Sequence, residues 1–599
     1  MSEASSENMR WDLSPLYNSV DDPQLSQQMQ DAALEADAFR QRYYGKIADS
    51  DLSAATLVEA LHDYQALQLK VVKPYLFAQL HFYSDSEDMA TARLLDQVKE
   101  CWQGVHEQTL FFDLELLRLE DDQLAALLAD PGVAAYGHFL TTTRAQAPYT
   151  LSETVEQALK RKDLSGRDAF VQLFDEVAAA MRFSYRFPDE EQEREVVGEE
   201  LLALLYHPQA EVRESSFSAF LEGHGEQSLV LTSCFNNILL DHGKEAELRS
   251  YPDLMTPTHL SSETAPEMVE QMLTVSEQHY PLAQEYFALK RRMLKLDVLK
   301  NTDIYAPVAQ TSRSFDFDEA KALVRQSFAG FAPELAAILD RLYQGGRLDV
   351  APRPGKSGGA FCMGLYPGAD PYVLLNFSGT LRDVSTLAHE LGHAVHYVLS
   401  GAQNYMHYHA PLPLAETASV FGEMLLTRNL LEQETDNNLK IALLCAKLEE
   451  MIATTMRQTV LTRFEQAVHQ RRGEELLSTD DYCELWLQEN AKLFGDQVEM
   501  IPQYRWGWAY ISHFIHARFY CYSYVFGELL VLALYQQYRQ QGAAFVPLFL
   551  DLLRAGGSAP PVELVKPLGI DLTDPGFWAQ GYGLMGEMLQ ELKGLIDER

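Results

Sequence analysis

The sequence predicts a mainly α-helical protein with one small β-sheet placed just before a helix that carries paired histidines. Three observations predict it. Over long stretches apolar residues recur at spacings of three and four. One Gly/Pro-rich region, 345–371, holds short apolar runs that read as strands. It is followed by Leu387-Ala388-His389-Glu390-Leu391-Gly392-His393-Ala394, which carries the pattern H-E-x-x-H.

Residues 1–20 read as an arm whose adhesive part is Trp11-Asp12-Leu13-Ser14-Pro15-Leu16-Tyr17. From about 23 to 128, Leu57, Leu61, Tyr64, Leu67 and Val71 illustrate the helical spacing, and Gly and Pro are scarce. This is the text of antiparallel helices and defines an N-terminal helical domain over 21–190. Asp130-Pro131-Gly132, Phe187-Pro188-Asp189 and Tyr251-Pro252 punctuate the pattern. Residues 191–599 are expected to form the larger domain, with its site within 345–530. There 360–363 and 372–377 read as strands of the one sheet, the second as an exposed edge. Thr380-Leu381-Arg382-Asp383 fits a capping box, and Ser400-Gly401 ends the helix after a span of about 30 Å.

Composition narrows the function classes. The 599 residues are 47% hydrophobic, enough for a large core, and carry a net charge of −38. Such a surface repels nucleic acid and anionic membranes and favours cationic ligands, a preference that salt would screen. The most apolar window, 525–534, contains Glu528, so no membrane span is expected. Residues 1–10 lack the apolar core of a signal peptide, and six cysteines without C-x-x-C spacing suit reduced thiols; both predict a cytoplasmic protein.

Histidines four apart on a helix point the same way, so His389 and His393 can reach one metal ion, with Glu390 beside it to handle the proton of a water. A catalytic zinc site keeps three protein ligands and one open position. A third histidine six residues after His393 is excluded, because position 399 is Leu399. Between Ala394 and Leu430 the only acidic residues are Glu416 and Glu423, seven apart on one helical face. One can bind metal while the other holds a ligand histidine from behind.

The string from Leu387 to His396, followed by Leu414-Ala415-Glu416-Thr417-Ala418-Ser419, resembles the thimet-type oligopeptidases, the M3 metallopeptidases, and most nearly the oligoendopeptidase F branch. Arg249-Ser250-Tyr251, Asp303-Ile304-Tyr305-Ala306-Pro307 and Asn376-Phe377-Ser378-Gly379-Thr380 extend the likeness. The resemblance implies a two-lobed helical fold with a deep central channel, as in neurolysin, that admits unfolded oligopeptides. It implies one Zn²⁺ held by His389, His393 and Glu416, with Glu390 as general base and Glu423 supporting a ligand. His396 reads as a packing or supporting residue. His407 and His409, in the connecting loop, are expected to be exposed.

The resemblance also implies a histidine and tyrosines from a late segment that bind the substrate carbonyl. Here these are His513 and Tyr524, with Tyr520 or Tyr522 assisting. On a helix, Tyr520 and Tyr524 share a face and Tyr522 lies opposite. Gly358 and Gly359 lack the spacing of a phosphate loop and read as a flexible loop where backbone approaches a peptide, with Asn376 nearby. The leading function is a zinc endopeptidase acting on short peptides. Its rivals are a helical carboxypeptidase or dipeptidyl carboxypeptidase, and a non-catalytic peptide-binding zinc protein. The sequence does not fix the oligomeric state.

Overall fold

The computed structural model describes residues 9–188, 190–308 and 313–598; the first eight residues of the arm lie outside it. Helices dominate and the described strands are short. The chain divides into two compact units that interleave along the sequence. One comprises Met1–Ala147, Arg313–Leu430 and Gln537–Ile570; the other Pro148–Ser312, Leu431–Gln536 and Asp571–Arg599. A boundary at 190 therefore falls inside the second unit rather than between the two.

The first unit opens with the helices Pro23–Tyr43, Ala54–Ser84 and Met89–Leu116, which pack on one another. Leu57, Leu61, Tyr64, Leu67 and Val71 all face their shared core, as the spacing predicted. Asp22, Ser53 and Asp88 cap the three N-termini with side-chain acceptors. The arm is part of this core: Trp11, Leu13, Leu16 and Tyr17 are buried, and Trp11 stands edge-on to Tyr372 with ring centroids 5.9 Å apart.

A first strand pair, β1 (Phe183–Tyr185) and β2 (Arg194–Val196), forms an antiparallel hairpin in the second unit. It is a correction to the expectation of a single sheet. Strands of three residues are too short to show alternation, and Pro188 reads only as a break. In the first unit β3 (Leu348–Asp349), β4 (Phe361–Met363) and β5 (Tyr372–Leu374) make the expected sheet in the order β3-β5-β4. The run at 372–377 was expected at an edge; β5 is instead central and fully buried, and β4 is an edge. An unbroken apolar run is what a strand covered on both faces requires.

The second unit is built mainly from the helices Ala210–Glu226, Ser228–Arg249, Pro266–Gln278, Tyr280–Leu294, Asn437–Met451, Gln458–Glu474, Thr479–Phe494 and Pro575–Asp597. A π-helical turn, Ile452–Arg457, joins two of them. Arg213 and Asp303, almost wholly buried, pair at 2.6 Å, and Arg213 also donates to the carbonyls of His207 and Pro208. No described helix is long and apolar enough to cross a membrane.

Candidate metal centre

The motif helix spans Leu381–Ser400. Thr380 Oγ1 accepts from the Asp383 N–H at 3.2 Å, and the Asp383 carboxylate accepts from the Thr380 N–H at 2.9 Å, closing the capping box. Leu387, Ala388, Leu391, Ala394 and Val395 are buried, which leaves His389 and His393 together on the other face.

The crossing helix Thr417–Gln433 comes unusually close. A Cβ on Gly392 would lie 2.4 Å from the Ala418 carbonyl oxygen and 2.5 Å from the Ser419 Cα. Glycine is thus required where the backbones touch. Glu416 precedes this helix and Glu423 lies two turns along it, so both carboxylates reach the histidines.

The donor atoms converge. His389 Nε2 and His393 Nε2 are 3.1 Å apart, and Glu416 Oε2 lies 3.4 Å from the first and 3.3 Å from the second. Among the described residues this is the one cluster of three His, Cys, Asp or Glu side chains able to hold a metal. His389 Nδ1–H donates to Glu423 Oε1 at 2.5 Å, which orients the ring so that Nε2 faces Glu416 and favours the tautomer that leaves Nε2 to a metal. Ser419 donates to Glu416 Oε2 at 2.7 Å. Two imidazole nitrogens and one carboxylate oxygen, gathered within 4.8 Å of one another, are a donor set that suits Zn²⁺.

The electrostatics follow the crowding. Burial acts against a charged His389, but the hydrogen bond to Glu423 and the charges of Glu423, Glu416 and Glu390 raise its pKa to about 9. Burial alone would raise Glu416; the His393 hydrogen bond, both imidazoles and Ser419 hold it down at about 2. Glu390 is buried, and burial raises its pKa despite the neighbouring imidazoles. His396 is also buried, which lowers its pKa to about 4, and its ring bonds to the backbone beside Glu416, at Ala415.

His389, Glu390, His393, His396 and Glu416 line a cavity of about 370 Å³ that also takes in Ala360, Phe361 and Cys362 of the β4 stretch, Tyr397 and His409. Sequence reasoning missed Cys362 and Tyr397 as lining groups. Cys362 was signalled only by its place in the strand before the motif. Tyr397 carried no local signal; only the fold brings its ring against Gly364, where a Cβ would strike it at 2.3 Å. His409 is exposed as expected, but His407 is buried: its Nε2 accepts from the Phe139 N–H, a partner far away in sequence.

The glycine loop is anchored. Lys356, whose side chain is wholly buried, pairs with Asp349 and donates to the carbonyls of Ala351 and Leu375. The Asn376 amide donates to the carbonyls of Ser357 and Gly359 at 3.0 and 2.8 Å. Gly359 has φ +75°, and a Cβ on it or on Gly358 would meet nothing within 4 Å. Asn376 thus shapes the loop from behind.

In the second unit the late aromatic segment breaks rather than forming one helix. A short helix, His513–His516, is followed by a turn and then by the helix Tyr522–Gln541. His513 Nε2 lies 3.2 Å from the Tyr524 hydroxyl, the Tyr520 ring stacks on His513 at 5.9 Å, and Tyr520 and Tyr524 meet edge-on at 5.2 Å. Tyr522 points elsewhere, into the core, with its hydroxyl at 3.2 Å from His259 and 3.1 Å from Thr264.

Comparison with known proteins adds a consistent result. The profile of peptidase family M3 matches residues 203–584, and that of oligopeptidase F matches 115–183. The chain is 27% identical over 563 residues to oligopeptidase PepF of Bacillus subtilis, covering 93% of this chain and 83% of that one. It is 24% identical to the chromosomal oligoendopeptidase F of Lactococcus lactis subsp. cremoris, covering 99% and 98%. The crystal structure of oligoendopeptidase F from Enterococcus faecium shares the fold, with a TM-score of 0.72 at 23% identity over 96% of this chain and 99% of that one.

Proposed function

Because this chain belongs to peptidase family M3 and is a metalloendopeptidase, we propose that it is a zinc-dependent oligoendopeptidase that cuts internal bonds of short, unfolded peptides. His389, His393 and Glu416 hold the zinc and Glu390 is the general base. One observation carries the reading: three donor atoms converge while Glu423 orients the His389 ring from behind. The chemistry that zinc supplies when bound is Lewis acidity, which acidifies water toward a pKa of about 7 and polarises a carbonyl.

The chain's own groups do the rest. The Glu390 carboxylate, made more basic by burial, takes the proton of the attacking water as its oxygen adds to the scissile carbonyl carbon. Glu390 then delivers that proton to the leaving nitrogen as the C–N bond breaks. His513 and Tyr524, paired by a hydrogen bond and flanked by Tyr520, are donors for the carbonyl oxygen as negative charge develops. The free side of β4 and the anchored backbone at Gly358 and Gly359 offer main-chain partners to an extended peptide, a mode that reads few side chains. Six unpaired cysteines fit a reducing compartment such as the cytoplasm.

The test uses a fluorogenic peptide blocked at both ends. Wild-type protein cleaves it, a chelator stops cleavage, and Glu390→Gln keeps its zinc yet loses at least about a thousandfold in kcat. Cleavage only of substrates with a free carboxylate would instead favour an enzyme acting from peptide ends. Near-normal turnover by zinc-loaded Glu390→Gln would remove Glu390 from its role.

A further inference from the structure

The segment that carries His513, Tyr520 and Tyr524 turns on one residue. Phe519 has φ +56°, a left-handed conformation that is an outlier for an aromatic residue. Its side chain is buried, with the ring against His469 at 4.6 Å and His242 at 5.8 Å. Its backbone N–H donates to Oε1 of Glu465 at 2.7 Å. Glu465 comes from a different element, the helix Gln458–Glu474, and is only 1% exposed. It has no lysine or arginine within ion-pair distance among the described residues; His469 Nε2 lies 3.9 Å away, and the charge of Arg518 acts on it only from beyond contact.

A buried carboxyl without a direct ion pair costs stability, and an apolar residue would serve packing better. Its hydrogen bond goes to the amide of the strained residue, immediately before Tyr520. Strained backbone persists where the surroundings over-determine it. Burial pushes the Glu465 pKa up to about 8, and a protonated carboxyl still offers its carbonyl oxygen to an N–H.

We propose that Glu465 is a positioning residue: its oxygen holds Phe519 in the left-handed conformation, and this turn keeps His513, Tyr520 and Tyr524 together as one group. The inference rests on the reading that this group acts on the substrate. It predicts that the acceptor oxygen matters and the charge does not. Glu465→Gln should keep kcat within about threefold. Glu465→Leu should lose roughly tenfold or more in kcat with KM changed less than about threefold, because small misplacements of acting groups are costly.

Hydrogen exchange supplies a readout independent of activity. The Phe519 amide should be protected in wild type and in Glu465→Gln, and should exchange at least about tenfold faster in Glu465→Leu. Equal losses in the two variants, a wild-type kcat in Glu465→Leu, or an unprotected Phe519 amide in wild type each overturn the proposal. Should Glu465→Leu fail to fold, Glu465→Gln decides alone: protection and kcat retained support it, and loss of either overturns it. Tyr524→Phe separates the two readings. If it leaves kcat unchanged, the segment's role in catalysis fails, while the exchange data still judge Glu465.

Discussion

At the scale of single residues, the two carboxylates of the crossing helix have different tasks. Glu423 accepts the Nδ1–H of His389 and so makes its Nε2 a better donor. Glu423→Gln keeps an acceptor oxygen but removes the negative charge. Zinc affinity measured by chelator competition should fall by roughly 10-fold, the mild end of the 10–100-fold range for such supports. An unchanged affinity would show that charge behind His389 is immaterial. The pair at 389 and 393 was legible because helical spacing alone dictates that they share a face. The choice between Glu416 and Glu423 was not, since both lie on that face, and only the three-dimensional crossing separates them. His407 misled for a related reason: its burial comes from Phe139, and no local pattern announces a partner that distant. Tyr520 and Tyr522 could not be ranked while the break at Phe519 was unseen.

At the scale of elements, the metal centre depends on how closely two helices cross. Gly392→Ala places a methyl group 2.4 Å from the Ala418 carbonyl oxygen, so the helices must part. We expect about 1–3 kcal/mol of destabilisation, seen as a lower denaturation midpoint, and a loss of zinc stoichiometry measured by elemental analysis. Full zinc occupancy in this variant would mean the crossing has slack that its geometry does not suggest. The boundaries of the motif helix were legible because Thr380 and Asp383 encode its start in four residues. The sheet was half legible. Its two longer strands stood out between glycines, but β3 has two residues, too few for any pattern, and without it β5 reads as an edge.

At the scale of the molecule, the interleaving of the units has a consequence for dissection. Residues 148–190 belong with the second unit, while the first needs 313–430 to complete the sheet that Trp11 packs on. A fragment of residues 1–190 should therefore lack cooperative unfolding by circular dichroism and calorimetry. A sharp, reversible transition in that fragment would contradict the division. Sequence could not reveal this arrangement, because helical periodicity reports which face of a helix is buried and not which other helix buries it. Fold class was legible for the same reason, since periodicity suffices for it.

The glycine-tight crossing has a consequence of another kind. Every proposed zinc ligand, the proposed base and the supporting carboxylate lie on, or immediately next to, two helices that touch backbone to backbone. The site is therefore a portable cassette, set by one local offset between two rods rather than by the size of the protein around it. A designed bundle that reproduced that contact, with five side chains in the same phase, would inherit the donor set without the remaining chain.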